Sequence, residues 1–216
     1  MAYKNGARTE IIQRLNKLPP GRILDIGCNS GQTLLALPIE WDLHSHVGID
    51  IKSVPPSPKR NITLQKNNIF DITSAEIGTF DYVLALDVIE HISNTSLFLK
   101  KCIELLPPRG GRLIISIPNI RFLPALFTIL FKKDFPELDA GIFDRTHIRF
   151  FTRKKILRTL EEEGLEVLGC EGINNLCDVQ PTMARSLLMK FMSTPIRLID
   201  SELYFQQYYL ICSKHE

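Results

Sequence analysis

An acidic residue two positions ahead of a glycine, at the end of a short apolar run, opens the chemistry of this chain. Leu24-Asp25-Ile26-Gly27-Cys28-Asn29-Ser30-Gly31 reads as a strand running into a glycine-rich turn. Gly27 and Gly31 permit a tight turn and the close approach of a ligand to the backbone. The G-x-G-x-x-G spacing of a dinucleotide site is absent, and no G-K-[ST] phosphate loop follows. The Asp25 carboxylate would repel a pyrophosphate and attract an ammonium group. Taken alone, the turn also reads as an ordinary strand-to-helix connection. Asp50 closes the next apolar run, Val47-Gly48-Ile49-Asp50. An acid at the end of a second strand, one strand–helix–strand unit further on, is placed to accept both ribose hydroxyls of an adenosine.

Such residues need a scaffold that brings strand ends together. Apolar runs of strand length fall at 22–27, 47–50, 62–66, 80–86, 112–117, 165–170 and 203–212. Between them, 32–37 begins a helix, and 96–106 aligns Phe98, Cys102, Leu105 and Leu106 on one stripe. Residues 152–163 form a helix with Ile156, Leu157 and Leu160 inward and Gly164 as its cap. The three prolines of 54–58 mark a loop, and Pro107-Pro108-Arg109-Gly110-Gly111 ends a helix. Strands apolar on both faces, alternating with helices, predict an α/β fold: a seven-stranded, mostly parallel sheet with helices on each side. Ligands of such sheets sit beyond the carboxyl ends of the strands. Those positions hold Gly27 to Gly31, Asp50, Asn68, Asp87 to His91 and Pro118-Asn119.

With these motifs in this order the chain resembles the class I S-adenosylmethionine-dependent methyltransferases, over most of its length. Asp25-x-Gly27-x-Asn29-x-Gly31 is similar to the family's first motif, which holds the methionine part of the cofactor. Asn29 replaces the usual middle glycine, and asparagine is the non-glycine residue that best tolerates positive φ. Asp50 matches the ribose-binding acid. Asn68-Ile69 aligns with the position that meets the adenine, Asn68 standing where aspartate is commoner. Phe80-Asp81-Tyr82-Val83-Leu84-Ala85-Leu86-Asp87-Val88-Ile89-Glu90-His91 resembles the fourth-strand motif, and Leu105-Leu106-Pro107-Pro108-Arg109-Gly110-Gly111 the turn before the fifth strand. The resemblance thus implies a Rossmann-like fold in one domain, 1–216. It implies S-adenosyl-L-methionine as cofactor, held by Asp25, Gly27, Cys28, Asn29, Gly31, Asp50, Ile51, Asn68, Ile69, Leu86 and Asp87.

Asp144-Arg145-Thr146-His147-Ile148-Arg149-Phe150-Phe151-Thr152 looks like a stretch of small bacterial methyltransferases similar to the ubiquinone-type O-methyltransferases. It falls in an expected lid and substrate insertion, 119–151, after the fifth strand. Methyl transfer to oxygen requires alignment, exclusion of water and removal of a proton. His147 and His91 are the candidate bases, because imidazole titrates near neutrality. Arg145 and Arg149 are candidates for holding an anionic group on the acceptor bidentately. No metal is expected. The alternative is that Asp87, Glu90, His91 and His147 hold a divalent ion.

Composition narrows the classes. With 26 basic and 24 acidic residues the net charge is +2, which argues against a general nucleic-acid binder. Arg145, Arg149, Arg153, Lys154, Lys155 and Arg158 form a local basic run, balanced by Glu161-Glu162-Glu163. Cys28, Cys102, Cys170, Cys177 and Cys212 are odd in number and lack a C-x-x-C pair, so they read as reduced thiols of a cytoplasmic protein. The first six residues lack an apolar stretch behind them, which predicts no signal peptide. The ten-residue apolar run 122–131 is too short to span a bilayer, and weak membrane-surface contact is its minority reading. The leading expectation is O-methylation of a small or lipid- or glycan-linked acceptor. Metal-assisted RNA 2′-O-methylation and non-catalytic cofactor binding are the alternatives.

Overall fold

Apolar side chains at successive strand positions require cover on both faces, and the chain supplies it. The computed structural model describes residues 6–52, 54, 55, 57, 59–176 and 200–215. Cys177, residues 1–5 and parts of the proline-rich 54–58 stretch lie outside the described residues. The strands are Ile23–Ile26 (β1), His46–Asp50 (β2), Ile62–Lys66 (β3), Tyr82–Leu86 (β4), Arg112–Pro118 (β5), Leu165–Asn175 (β6) and Phe205–Lys214 (β7). They form one seven-stranded sheet in the order β3-β2-β1-β4-β5-β7-β6. β1 to β5 pair in parallel, while β7 runs antiparallel to both β5 and β6.

Side-chain alternation sends each strand into two cores. Leu24, Val83, Leu113 and Leu210 face one side, where they meet Phe98, Leu99 and Cys102 of Thr95–Glu104 (α4). Ile156 and Leu160 of Arg153–Glu162 (α6) join them. Ile23, Leu84, Ile114 and Tyr209 face the other side, against Ile11 and Leu15 of Thr9–Leu15 (α1) and Leu34 of Gln32–Leu35 (α2). Ser74–Ile77 (α3) is a single turn held by a capping box between Thr73 and Glu76.

Local chemistry sets the boundaries. α4 starts one residue before the sequence-based limit because Asn94 is the cap, its Oδ1 accepting from Leu97 N at 3.0 Å. Thr152 caps α6 through Lys155 N at 3.2 Å, and Gly164 follows the helix at φ +77°. β6 continues five residues past the predicted 165–170. Glu171, Gly172 and Asn175 are poor strand formers, and their pairing to Tyr209, Tyr208 and Phe205 of β7 overrides that preference.

The strand order reverses between β1 and β4, which leaves a crevice at their carboxyl ends. The 119–151 insertion leaves and re-enters the sheet beside it, at the bridge between Asn119 and Phe151. It carries Leu123–Phe131 (α5) and a satellite core of Phe122, Ala125, Ile142 and Phe143 with Leu176. Phe127, Leu130 and Phe131 on the outer side of α5 are exposed by 50%, 64% and 72%.

Candidate active site

The turn after β1 is wound left-handed three times, at Gly27 (φ +72°), Asn29 (φ +50°) and Gly31 (φ +72°). A Cβ at Gly27 would also stand 2.8 Å from Val88 Cγ2, so only glycine fits there. The turn is tied to β2 by Gly27 N and Cys28 N, both donating to Ile49 O at 2.8 and 3.0 Å. Asp50 completes the tie: its Oδ2 accepts from Asn29 N at 2.9 Å and its Oδ1 from Lys52 N at 2.8 Å.

Beyond this turn a cavity of about 230 Å³ opens at the carboxyl ends of β1 and β4. It brings Asp25, Gly27, Cys28, Asn29, Leu86 and Asp87 together with His91 and His147. Asp25 is almost fully buried, and burial pushes its carboxyl up to about 7 against the pull of the Arg8 guanidinium. Burial, with Asp25 beside it, also raises the Cys28 thiol, which is therefore a weak nucleophile.

Asp87 sits at φ +56° and accepts three hydrogen bonds: Arg8 Nη1 at 2.6 Å on Oδ2, and Ser116 Oγ and Gln207 Nε2 at 2.9 Å on Oδ1. Glu90 contrasts with it. Only 1% exposed, its carboxylate has no hydrogen-bond partner on either oxygen among the described residues. Burial, reinforced by the Asp87 carboxylate, holds that carboxyl well above the usual range. His147 Nε2 lies 3.9 Å from Glu90 Oε1, and the His91 and His147 rings are 4.8 Å apart.

Each imidazole meets a main-chain carbonyl through Nδ1: His91 to Thr146 O and His147 to Ile142 O, both at 3.0 Å. A carbonyl only accepts, so both rings carry their neutral-state proton on Nδ1 and leave Nε2 as a lone pair. Burial lowers the His147 imidazole below its ordinary value, with the Ile142 carbonyl acting in the opposite sense. One ligand atom from each of Glu90, His91 and His147 falls within 4.8 Å of the others. Asp87 is not in that group, its oxygens being taken by Arg8, Ser116 and Gln207, which corrects the four-residue ligand set.

A family model described as a methyltransferase domain matches residues 3–169. The chain belongs to the class I S-adenosylmethionine-dependent methyltransferases. Among relatives of this methyltransferase, the mitochondrial ubiquinone biosynthesis O-methyltransferase of Bos taurus is 31% identical over 160 residues, covering 68% of this chain and 41% of that protein. The ubiquinone biosynthesis O-methyltransferase of Coxiella burnetii is 27% identical over 177 residues, covering 79% of this chain and 74% of that one. The chain therefore spans less than half the length of the bovine relative. A methyltransferase from Archaeoglobus fulgidus, described as SAM-dependent, superimposes with a TM-score of 0.62 at 18% identity, over 97% of this chain and 95% of its own.

The remaining predicted site residues of this methyltransferase stand elsewhere. Gly31, Asp50, Ile51, Asn68 and Ile69 do not line the cavity. Asp50 and Asn68 are nonetheless neighbours at adjacent strand ends, linked by Asn67 N donating to Asp50 O at 2.9 Å. Asn68 Oδ1 already accepts from Phe70 N at 3.2 Å, Ile51 is exposed and Ile69 is buried in the core. Arg145 and Arg149 also lie outside the lining. Arg145 pairs with Asp139 at 2.8 Å, and the Arg149 guanidinium donates to the carbonyls of Ile92 and Ser93. Arg145 is thus held at the surface by a carboxylate, and the Arg149 guanidinium by backbone carbonyls. Sequence reasoning missed Arg8, Ser116 and Gln207. Ser116 and Gln207 had a signal, as polar residues inside otherwise apolar strands. Arg8 had none, lying ahead of the first strand in a segment without a motif.

Proposed function

We propose that this chain transfers the methyl group of S-adenosylmethionine to a hydroxyl oxygen of a small or lipid- or glycan-linked acceptor. The observation that carries the reading is the pair of imidazoles, both fixed by main-chain carbonyls with Nε2 left to accept a proton. The residues fit the cofactor. The left-handed turn from Gly27 to Gly31 leaves its backbone open to a ligand, and the buried Asp25 carboxyl beside it suits an ammonium group. Asp50 and Asn68 are the residues for the ribose and the adenine. S-adenosylmethionine, when bound, supplies an electrophilic methyl group on sulfur.

His147 takes the acceptor's hydroxyl proton at Nε2, with His91 as its neighbour, and the cavity walls exclude water from the reacting oxygen. Among the described residues Arg8 is the one arginine or lysine of the lining, and it is engaged by Asp87 and Glu10. Asp87 and Asp144 line the same space, with the Asp25 and Glu90 carboxyls, which burial holds toward their neutral forms. That balance favours an uncharged acceptor over an anionic one. The names of the relatives, enzymes of O-methylation, support oxygen as the acceptor atom and do not favour RNA or a non-catalytic role.

A second reading is favoured by the unpartnered Glu90 carboxylate. Glu90, His91 and His147 would then hold a divalent cation, whose Lewis acidity would polarise the acceptor hydroxyl. Histidines that anchor Nδ1–H to a carbonyl are oriented as metal ligands commonly are. Methyl-labelled S-adenosylmethionine offered with phenolic, sugar and RNA acceptors tests the main reading. Label on a phenolic or sugar oxygen supports it, and label confined to RNA or to nitrogen overturns it. Loss of that label with chelator, restored by added Mn²⁺, selects the second reading. The exposed face of α5, with Lys132 and Lys133 after it, supports delivery of a lipid-linked acceptor from a membrane surface. Among the described residues no helix is long and apolar enough to cross a membrane.

A further inference from the structure

We infer that Arg149 is a positioning residue of this site, tying the turn after β4 to the insertion so that His91 and His147 keep their Nε2 atoms open. The turn itself is poorly self-supporting. Residues Ile89–His91 make one 3-10 turn, after which the chain runs extended through Ile92, and the Glu90 side chain contributes no hydrogen bond. Its carbonyls would be left without helical partners. Two consecutive residues of the insertion, Ile148 and Arg149, supply them. Ile148 N and Arg149 N donate to Glu90 O at 3.0 and 3.1 Å. Arg149 Nε donates to Ile92 O at 2.9 Å, and Arg149 Nη2 to Ser93 O. Thr146 O receives the Nδ1–H of His91.

The two histidines are therefore set by one zipper: His91 stands on one strap, His147 on the other, and the Arg149 fork is the side-chain stitch between them. Two carbonyls one residue apart suit the planar, fixed donors of guanidinium, and an ammonium on a flexible stem does not reproduce that geometry. This explains why a cation in a basic run faces away from the cavity. The inference rests on the reading of the imidazoles as acceptor-facing groups, but its main test does not need an acceptor.

Imidazole ¹⁵N–¹H correlation NMR, recorded where the rings are neutral, reports which nitrogen carries the proton. His46 is an internal control of opposite kind: its Nδ1 accepts from Ile23 N at 3.3 Å, and its Nε2–H donates to Trp41 O at 3.0 Å. The wild-type chain should show Nδ1–H for His91 and His147 and Nε2–H for His46. In Arg149→Met, His91 should become a mixture of the two forms while His46 is unchanged. Turnover on whichever hydroxyl acceptor is labelled should fall about 10²-fold, with cofactor affinity retained. An unchanged His91 pattern, or wild-type turnover, in that variant overturns the inference. If Arg149→Met also disturbs His46, Arg149→Lys decides. A disturbed His91 beside an intact His46 supports the positioning role, and any other pattern assigns Arg149 to the general fold and overturns it. Absence of any methyl transfer by the wild-type chain would count against the proposed function, while the tautomer result would stand.

Discussion

If Asp25 meets the ammonium group of the cofactor, as proposed, it couples cofactor binding to protons. Its carboxyl stands at about 7 rather than 3.8 because burial disfavours the charged form. An ammonium brought beside it favours the charged form and pulls the value down. Binding of S-adenosylmethionine should therefore release a proton from Asp25 below about pH 7 and none well above it, with affinity rising through that window. Calorimetry in two buffers of different ionisation enthalpy measures the release. Asp25→Asn should abolish it, and equal proton release by the variant would rule Asp25 out. In the unliganded chain the same raised value acts on stability: its contribution is full below 3.8 and is lost as pH climbs through about 7. A second expectation concerns His147. If it is the base, His147→Ala lowers turnover by about 10²–10⁴ while cofactor affinity stays near wild type. Wild-type turnover of that variant would remove His147 from the chemistry.

At the level of elements, α4 is held to the sheet by Phe98, Leu99 and Cys102, all fully buried. Phe98→Ala should cost about 3–5 kcal/mol, read as a lowered denaturation midpoint with an unchanged slope. A loss well below that range would mean that the core closes over the gap. The strands of this core were legible because their apolar runs are bounded by glycine, proline and charge. The glycine-turn was legible too: Asn29 at φ +50° takes the conformation expected of an asparagine replacing glycine. What composition could not disclose was partnership. Arg145 and Arg149 looked available because the run from Arg145 to Arg158 contains no acid, yet one finds Asp139 and the other finds two backbone carbonyls. Arg8 and Gln207 are 199 residues apart and converge on Asp87 only once β7 has entered the sheet. No local pattern announces a contact of that span.

On the scale of the molecule, the outer face of α5 presents Phe127, Leu130 and Phe131 to solvent, the feature proposed above to meet a membrane surface. Sedimentation with phosphatidylcholine vesicles containing phosphatidylglycerol should retain the chain, and Phe127→Ser with Phe131→Ser should weaken retention tenfold or more, since each buried phenyl contributes about 1.5–3 kcal/mol. Equal retention of the double variant would remove α5 as the contact. The position of β7 carries another consequence. It lies between β5 and β6, and among the described residues β6 has no other strand to pair with. During synthesis the first five strands can assemble as soon as they emerge, whereas β6 must wait for residues 205–214 before it gains a neighbour. Gln207, which steadies Asp87, arrives in that same late segment. A nascent chain halted before it would fold most of its sheet and yet hold an unfinished pocket, so the competence to bind would wait until β7 has joined the sheet.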